Sequence, residues 1–296
     1  MSPARPDRDG FILVAVLWIV AALATLASIY SVYAVNTAAA SHVPGERLQA
    51  EAAIRAGVEL AAFQVLAVPE KARPTHGAFE ARFGRTRITA RYRSEGARID
   101  LNAAPKDLLG GLFLSVGVEA SAAATYADRI VGWRKKVPPN VGDAEADAYK
   151  TAGLPYAPRQ APFTNVLELT LVMGLPPPVV ARILPDVTVF NGKAQVDVVN
   201  ADAEVLAALP GMNPDILHKV LEARAHDPND GKALIGLMGP ARNWATFEPN
   251  KALRAAIQVD LEHGRRVQAE VVFALADNAE DPYDIIYWRD DFDGPF

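Results

Sequence analysis

The sequence predicts an α+β protein: a long N-terminal membrane helix, an antiparallel sheet, and a mainly α-helical domain inserted between the strands of that sheet. Three observations predict it. No Asp, Glu, Lys or Arg occurs from Phe11 to Gly45. Segments of period-two alternation lie on both sides of a block with helical patterning. Within that block, a unit of short strand, polar cap and amphipathic helix occurs twice.

The uncharged run comes first. A bilayer core is crossed by about 20 apolar helical residues, and FILVAVLWIVAALATLASIYSVYAV exceeds that. A secretory signal has an apolar core of roughly 7–15 residues before a small-residue cleavage site. Ala22 to Ala24 imitates such a site, but the apolar run continues past it. A retained membrane helix is the better reading. The leader carries Arg5 and Arg8, which favours a cytoplasmic leader and a periplasmic body.

From Glu46 the helix is expected to continue into water. Arg47, Glu51, Arg55 and Glu59 alternate in sign at i,i+4 spacing, which stabilises an exposed helix face. Ala50, Ile54, Val58, Ala61 and Val65 form an apolar stripe on another face. Pro44-Gly45 is a candidate kink, and Pro69 and Pro74 end the helix. Residues 78–101 then read as strands. Phe79, Ala81 and Phe83 alternate with Glu80 and Arg82, and Ile88, Ala90 and Tyr92 alternate with Arg87, Thr89, Arg91 and Arg93. Gly84 marks the hairpin turn. The five Arg between Arg82 and Arg93 suggest either a phosphate-binding face or a solvated one, and strand spacing favours the solvated face.

The repeat pairs Ile99–Leu112 with Val196–Leu209 without a gap. Asn102 or Ala104-Pro105 is expected to start the first helix, and Asn200 or Asp202 the second. The second copy continues through Pro210-Gly211-Met212-Asn213 into a further helical segment ending near Arg224. That arrangement resembles a helix-hairpin-helix with Gly211 at its turn. The usual second Gly is replaced by Asn213 and nearby charge is mixed, so the hairpin reads as a packing unit. Beyond it, Ile257–Leu261, Val267–Leu275 and Ile285–Trp288 read as closing strands, with His263-Gly264 as a turn. Strands before and after a helical block imply a domain inserted into a sheet.

Composition excludes several classes. The chain has 296 residues, a net charge of −5 and no Cys. That leaves no disulfide framework or Cys-ligated zinc and argues against nucleic acid as a partner. No G-x-S-x-G, H-E-x-x-H or P-loop occurs, and the five His residues are scattered. The expectation is a non-enzyme.

The junction of Gly10 with Phe11, behind a polar leader, resembles the type IV prepilin signal. The resemblance implies that prepilin peptidase cuts after Gly10 and that Phe11 becomes an N-methylated first residue. Position five of such a mature chain is usually Glu, whose carboxylate pairs with the amine of the neighbouring subunit; here it is Ala15. Loss of that Glu is typical of the minor pseudopilin K of type II secretion systems. The two segments of the repeat resemble that family's paired "Ile-Asn-Leu-Asn-Thr-Ala" segments. Phe163, Glu168-Leu169 and Val172-Met173-Gly174 resemble another family segment, with a weaker echo at Tyr287-Trp288-Arg289.

The resemblance implies a division into prepilin leader (1–10), transmembrane helix (11–45), pilin-like helix and first strands (46–101), inserted helical domain (102–248) and C-terminal strands completing a pilin-like sheet (249–296). It implies a single-pass inner-membrane protein with a cytoplasmic N-terminus and a periplasmic body. The implied function is a minor pseudopilin at the tip of the pseudopilus, initiating assembly and supporting export of folded proteins. The implied partners are the I-, J- and H-type minor pseudopilins, the major pseudopilin, prepilin peptidase and secreted cargo, with no nucleic acid. No cofactor is required. Family members often carry an acidic run that helps hold calcium; Asp143, Glu145 and Asp147 are the candidate ligands here, being hard oxygen donors. The C-terminal acids from Asp277 to Asp293 are a second candidate set. The alternative function is a membrane-tethered periplasmic helix-hairpin-helix protein that binds DNA. A third reading is a single-pass periplasmic scaffold without peptidase processing.

Overall fold

The structure, a computed structural model, describes residues 9–138, 141–228, 230–262, 264–276 and 281–291. The first element is one helix, α1 (Asp9–Leu66), which runs through Pro44 and Gly45. Its apolar half, Leu13–Tyr33, has a mean hydropathy of 2.3 and none of it is buried. Its second half is amphipathic, as the i,i+3/i+4 spacing requires. Ala50, Ile54, Val58, Ala61 and Val65 are all buried, while Arg47, Glu51, Arg55 and Glu59 are exposed.

The buried stripe packs across a five-stranded antiparallel sheet. Its strands are β1 (His76–Phe83), β2 (Thr86–Ser94), β7 (Ala252–Asp260), β8 (Arg266–Leu275) and β9 (Tyr283–Asp291), in the order β1-β2-β7-β8-β9. Gly84, at φ 61°, makes the β1–β2 turn. The expected alternation holds along β2: Ile88, Ala90 and Tyr92 face the helix, and Arg87 and Arg91 face water. Gly57 is needed where α1 crosses the sheet, since a Cβ there would lie 3.1 Å from Ile257 Cγ2 and 3.3 Å from Ile88 Cγ2. His263 and residues 277–280 lie outside the described residues, so the expected His263-Gly264 turn is described only at Gly264, at φ 81°.

Strands β2 and β7 are neighbours in the sheet, yet 157 residues lie between Ser94 and Ala252. Ser94 pairs with Leu253. The chain therefore leaves the sheet and returns to it at one place, the connection an inserted domain needs.

Between these points lie β3 (Ile99–Asp100), α2 (Lys106–Ser115), α3 (Ala120–Arg134), α4 (Ala144–Thr151), α5 (Pro177–Ile183), β4 (Val187–Thr188), β5 (Val196–Asp197), α6 (Ala203–Ala207), α7 (Pro214–His226), α8 (Gly231–Leu237) and β6 (Ala245–Thr246). This block has its own core, with Leu108, Leu109, Leu112, Phe113, Ile130 and Tyr149 fully buried. The core between α1 and the sheet is separate.

Both copies of the repeat build the same unit. Strand β3 pairs in parallel with β4, and β5 in parallel with β6. Asp100 Oδ1 accepts from Asn102 N at 2.6 Å and Ala103 N at 3.1 Å. Its counterpart Asp197 Oδ1 accepts from Val199 N at 3.0 Å. Each Asp is buried and shapes the turn that follows its strand. A helix, a positive-φ Gly and a second helix come next: α2, Gly117 and α3 in the first copy, α6, Gly211 and α7 in the second. The sequence reading placed a hairpin only in the second copy; the first has one too.

The expected caps are corrected in part. Helix α2 starts after Pro105, and α6 after Asp202, with no side-chain cap in either. Asn102 instead clamps a distant backbone: its Oδ1 accepts from Phe163 N at 2.7 Å and its Nδ2 donates to Phe163 O at 2.9 Å. Asn200 Nδ2 donates to Thr75 Oγ1 at 2.6 Å, tying the repeat to the sheet. Asn213 does cap α7, accepting from Ile216 N at 2.9 Å.

Candidate assembly interface

The exposed apolar half of α1 is the first surface that demands a partner. Leu13, Leu17, Trp18, Leu23, Leu26 and Tyr30 are each at least 60% exposed, far more apolar area than a water-facing helix carries. Two of its hydroxyls are satisfied within the helix, Thr25 Oγ1 donating to Ala21 O at 2.8 Å and Ser28 Oγ to Ala24 O at 2.9 Å. That is the requirement for a polar group placed in hydrocarbon. Ala15 lies on this half, two residues into the 21-residue apolar span. Gly10 and Phe11 fall in the first turn of α1; Met1–Arg8 lie outside the described residues.

The second surface is the inserted block, and its hold on the sheet is electrostatic. Glu95 is 1% exposed and sits where β2 ends. Arg254 of β7 donates to it from Nε at 2.6 Å and Nη2 at 3.2 Å, and to Glu270 of β8 from Nη1 at 2.5 Å. Thr188 of β4 also donates its hydroxyl to Glu95. Burial alone would raise the Glu95 carboxyl, but the Arg254 guanidinium more than offsets it and holds the group below its ordinary value. Arg93 of β2 grips both Asp202 oxygens at 2.9 Å. Asn250 Nδ2 donates to Asn191 O at 2.9 Å and Oδ1 at 2.8 Å. Charged and amide pairs thus join the domain to the sheet in addition to its two chain connections.

Three of the five arginines between Arg82 and Arg93 stand beside acidic residues. Arg85 pairs with Glu262, Arg93 with Asp202, and Arg87 lies opposite Asp260 in the sheet. Acidic neighbours neutralise these guanidiniums, which disfavours an anionic polymer.

The proposed calcium ligands do not converge. Asp143 caps α4, its Oδ1 accepting from Glu145 N at 3.1 Å and Ala146 N at 3.0 Å and its Oδ2 from Gln160 Nε2 at 2.5 Å. Glu145 Oε2 accepts from Arg129 at 2.8 Å. Asp147 is exposed. No group of three ligating side chains occurs among the described residues. Asp143 is taken up in capping α4 and Glu145 in pairing with Arg129, so the set does not fit a metal ion. Of the second set, Asp277, Glu280 and Asp293 lie outside the described residues.

The segment from Phe163 to Glu168 packs against Trp133 of α3. Trp133 stacks on Phe163 with centroids 6.2 Å apart, and its Nε1 donates to Glu168 Oε2 at 3.2 Å. Glu168 also accepts from Thr164 N at 2.9 Å and Thr164 Oγ1 at 2.6 Å. What the sequence did not disclose is a pair of arginines. Arg134, at the end of α3, donates to Leu101 O and, at 2.5 Å, to Ala104 O. Arg224 in α7 donates to the equivalent carbonyls, Val198 O at 3.2 Å and Ala201 O at 2.6 Å.

Comparison with known proteins agrees with this architecture. A chain of the crystal structure of the GspK-GspI-GspJ complex from the enterotoxigenic Escherichia coli type 2 secretion system superimposes with a TM-score of 0.61. Identity is 14%, and the match covers 83% of this chain and 98% of that one, so the likeness is one of fold. No curated protein matches the chain by sequence. Residues 92–192 match the family model described as type II secretion system (T2SS), protein K. That span takes in the end of β2, the first repeat copy, the Trp133–Glu168 cluster and β4, and over it the chain is similar to type II secretion system protein K.

Proposed function

We propose that this pseudopilus component is the tip subunit of the fibre, where it initiates assembly and supports export of folded proteins across the outer membrane. The observation that carries the reading is the pairing, in one helix, of a fully exposed apolar half with Ala15 at the position where a recruiting carboxylate would stand. An apolar helix can pack among other such helices. Without an acid to pair with an incoming amine, it offers no latch for a further subunit. The inserted block adds a steric reason, because attachment through Glu95, Arg254 and Asn250 leaves it in the way of a subunit stacked above.

In this reading prepilin peptidase cuts after Gly10, the Phe11 helix sits in the inner membrane, and the body is periplasmic. The I-, J- and H-type minor pseudopilins are its neighbours below, the major pseudopilin continues the shaft, and secreted cargo meets the inserted block. The role is mechanical and not enzymatic. Two measurements test it. N-terminal sequencing of the mature chain is expected to begin at Phe11. Site-specific crosslinking along the inserted block is expected to give no adduct with another pseudopilin seated over it; such an adduct would end the tip assignment.

A further inference from the structure

The seam between sheet and inserted block holds a cavity of about 300 Å³ whose charges do not balance. Arg98, Arg254 and Arg289 line it. Arg254 takes up both nearby carboxylates, Glu95 at 2.6 Å and Glu270 at 2.5 Å. Arg98 comes no closer to Glu95 than 3.8 Å, and Arg289 no closer to Glu270 than 3.7 Å. Both separations lie beyond hydrogen-bond distance. Three guanidiniums therefore stand against two close carboxylates, Glu95 and Glu270; buried Asp186, which also feels the charge of Arg98, is pushed toward its neutral form by burial, and the Arg98 side chain is only 16% exposed. Burial first, and then the charge of Arg254, push the Arg98 pKa down. Across from the charges the wall is apolar, formed by Leu184, Val187 and the rings of Phe190 and Tyr287, 6.0 Å apart.

We propose that this cavity is a carboxylate-binding site that takes an acidic side chain carried on an apolar segment of a partner polypeptide. A guanidinium binds a carboxylate through paired N–H donors, and one negative charge cancels the surplus. A phosphate would bring a second charge against Glu95 and Glu270. A polypeptide fits because Tyr287 and Arg289 belong to β9, the edge strand of the sheet. An edge strand offers unpaired backbone groups to an extended segment, and Ile285 and Ile286 are exposed beside the mouth. The inference does not depend on where the subunit stands in the fibre.

The test is calorimetric titration of the full chain in detergent micelles with acetyl-Leu-Asp-Leu-amide, its Asn counterpart, sodium acetate and inorganic phosphate. The Asp peptide is expected to bind, with the Asn peptide at least about tenfold weaker and both small anions weaker than the Asp peptide. Arg289→Gln, at an exposed site, is expected to weaken the Asp peptide at least about fivefold with an unchanged melting curve. Arg98→Gln, checked by circular dichroism, is expected to do the same. Absence of binding, equal binding of the Asn peptide, or indifference to Arg289→Gln overturns the site. Tighter binding of phosphate overturns its preference for a carboxylate, and acetate matching the peptide overturns the polypeptide ligand.

Discussion

Gly111 and Ala208 hold the same place in the two copies of the repeat, and they meet where α2 crosses α6. A Cβ on Gly111 would lie 2.0 Å from the Ala208 carbonyl oxygen. The obstacle is backbone, which cannot rotate aside as a side chain would. Gly111→Ala is therefore expected to destabilise the inserted block by about 1–3 kcal/mol, the cost of overpacking a rigid contact. Gly110 is the internal control. Nothing lies within 4 Å of its Cβ position, so Gly110→Ala is expected to stabilise by about 0.5–1 kcal/mol through helix propensity. Urea denaturation of both variants checks the pair, and equal effects would remove the crossing from the account.

Arg134 and Arg224 make the second use of the repeat. Each guanidinium spans two carbonyls of the turn before its own hairpin, which would otherwise be left inside without a donor. Arg134→Met and Arg224→Met are each expected to cost about 1–3 kcal/mol, the range for buried polar groups losing a charged partner. The two sites share no carbonyl, so the double variant is expected to lose close to the sum. Chemical denaturation of the two single variants and the double reads this directly.

These arginines also mark where the sequence stopped being legible. The stripe from Ala50 to Val65 and the alternation along β2 were readable because each follows a local period imposed by one buried face. The repeat was readable because its apolar and cap positions recur at fixed spacing. Arg134 and Arg224 do not keep that spacing. They stand 33 and 26 residues beyond the first carbonyl each one reaches, so only the fold pairs them. Of the two starts the sequence allows for the first helix, the one at Pro105 is used, and the other candidate, Asn102, is claimed by the backbone of Phe163. The acids from Asp143 to Asp147 were candidate ligands by resemblance, and the fold gives the first two other partners, the opening turn of α4 for Asp143 and Arg129 for Glu145.

Asp186 gives the seam a pH dependence. It is 6% exposed. Burial, then Glu204 and Asp202, push its carboxyl up to about 6 from an ordinary value of 3.8. The folded protein therefore binds this proton more tightly than the unfolded chain. The favourable contribution is complete below about pH 4 and is lost as pH rises through 6. The upward shift of roughly two units corresponds to at most about 3 kcal/mol at neutral pH. Asp186→Asn removes the ionisation, so it is expected to raise stability at pH 7.5 and to do progressively less toward pH 4.5. Glu95, held low by Arg254, stays ionised across that window and supplies no slope of its own. Thermal melts of both proteins at several pH values check the sign; a gain that grows on acidification would contradict the burial of Asp186.

The last prediction concerns the division of labour within α1. Both cores draw on residues from Ala50 onward, and Leu13–Tyr33 buries nothing. The apolar half therefore contributes to attachment and not to the fold of the body. Deleting residues 1–46 is expected to leave the body folded in plain buffer, with stability within about 0.5 kcal/mol of the full chain in detergent, the range for changes that touch no packed group. The first buried contact, Ala50, would keep one turn of helix before it in the shortened chain. Carbonate extraction is expected to leave the full chain in the membrane fraction and release the truncated one. A large loss of stability on truncation would mean that the exposed helix packs on the body after all, and would leave no free apolar surface to insert among neighbouring subunits.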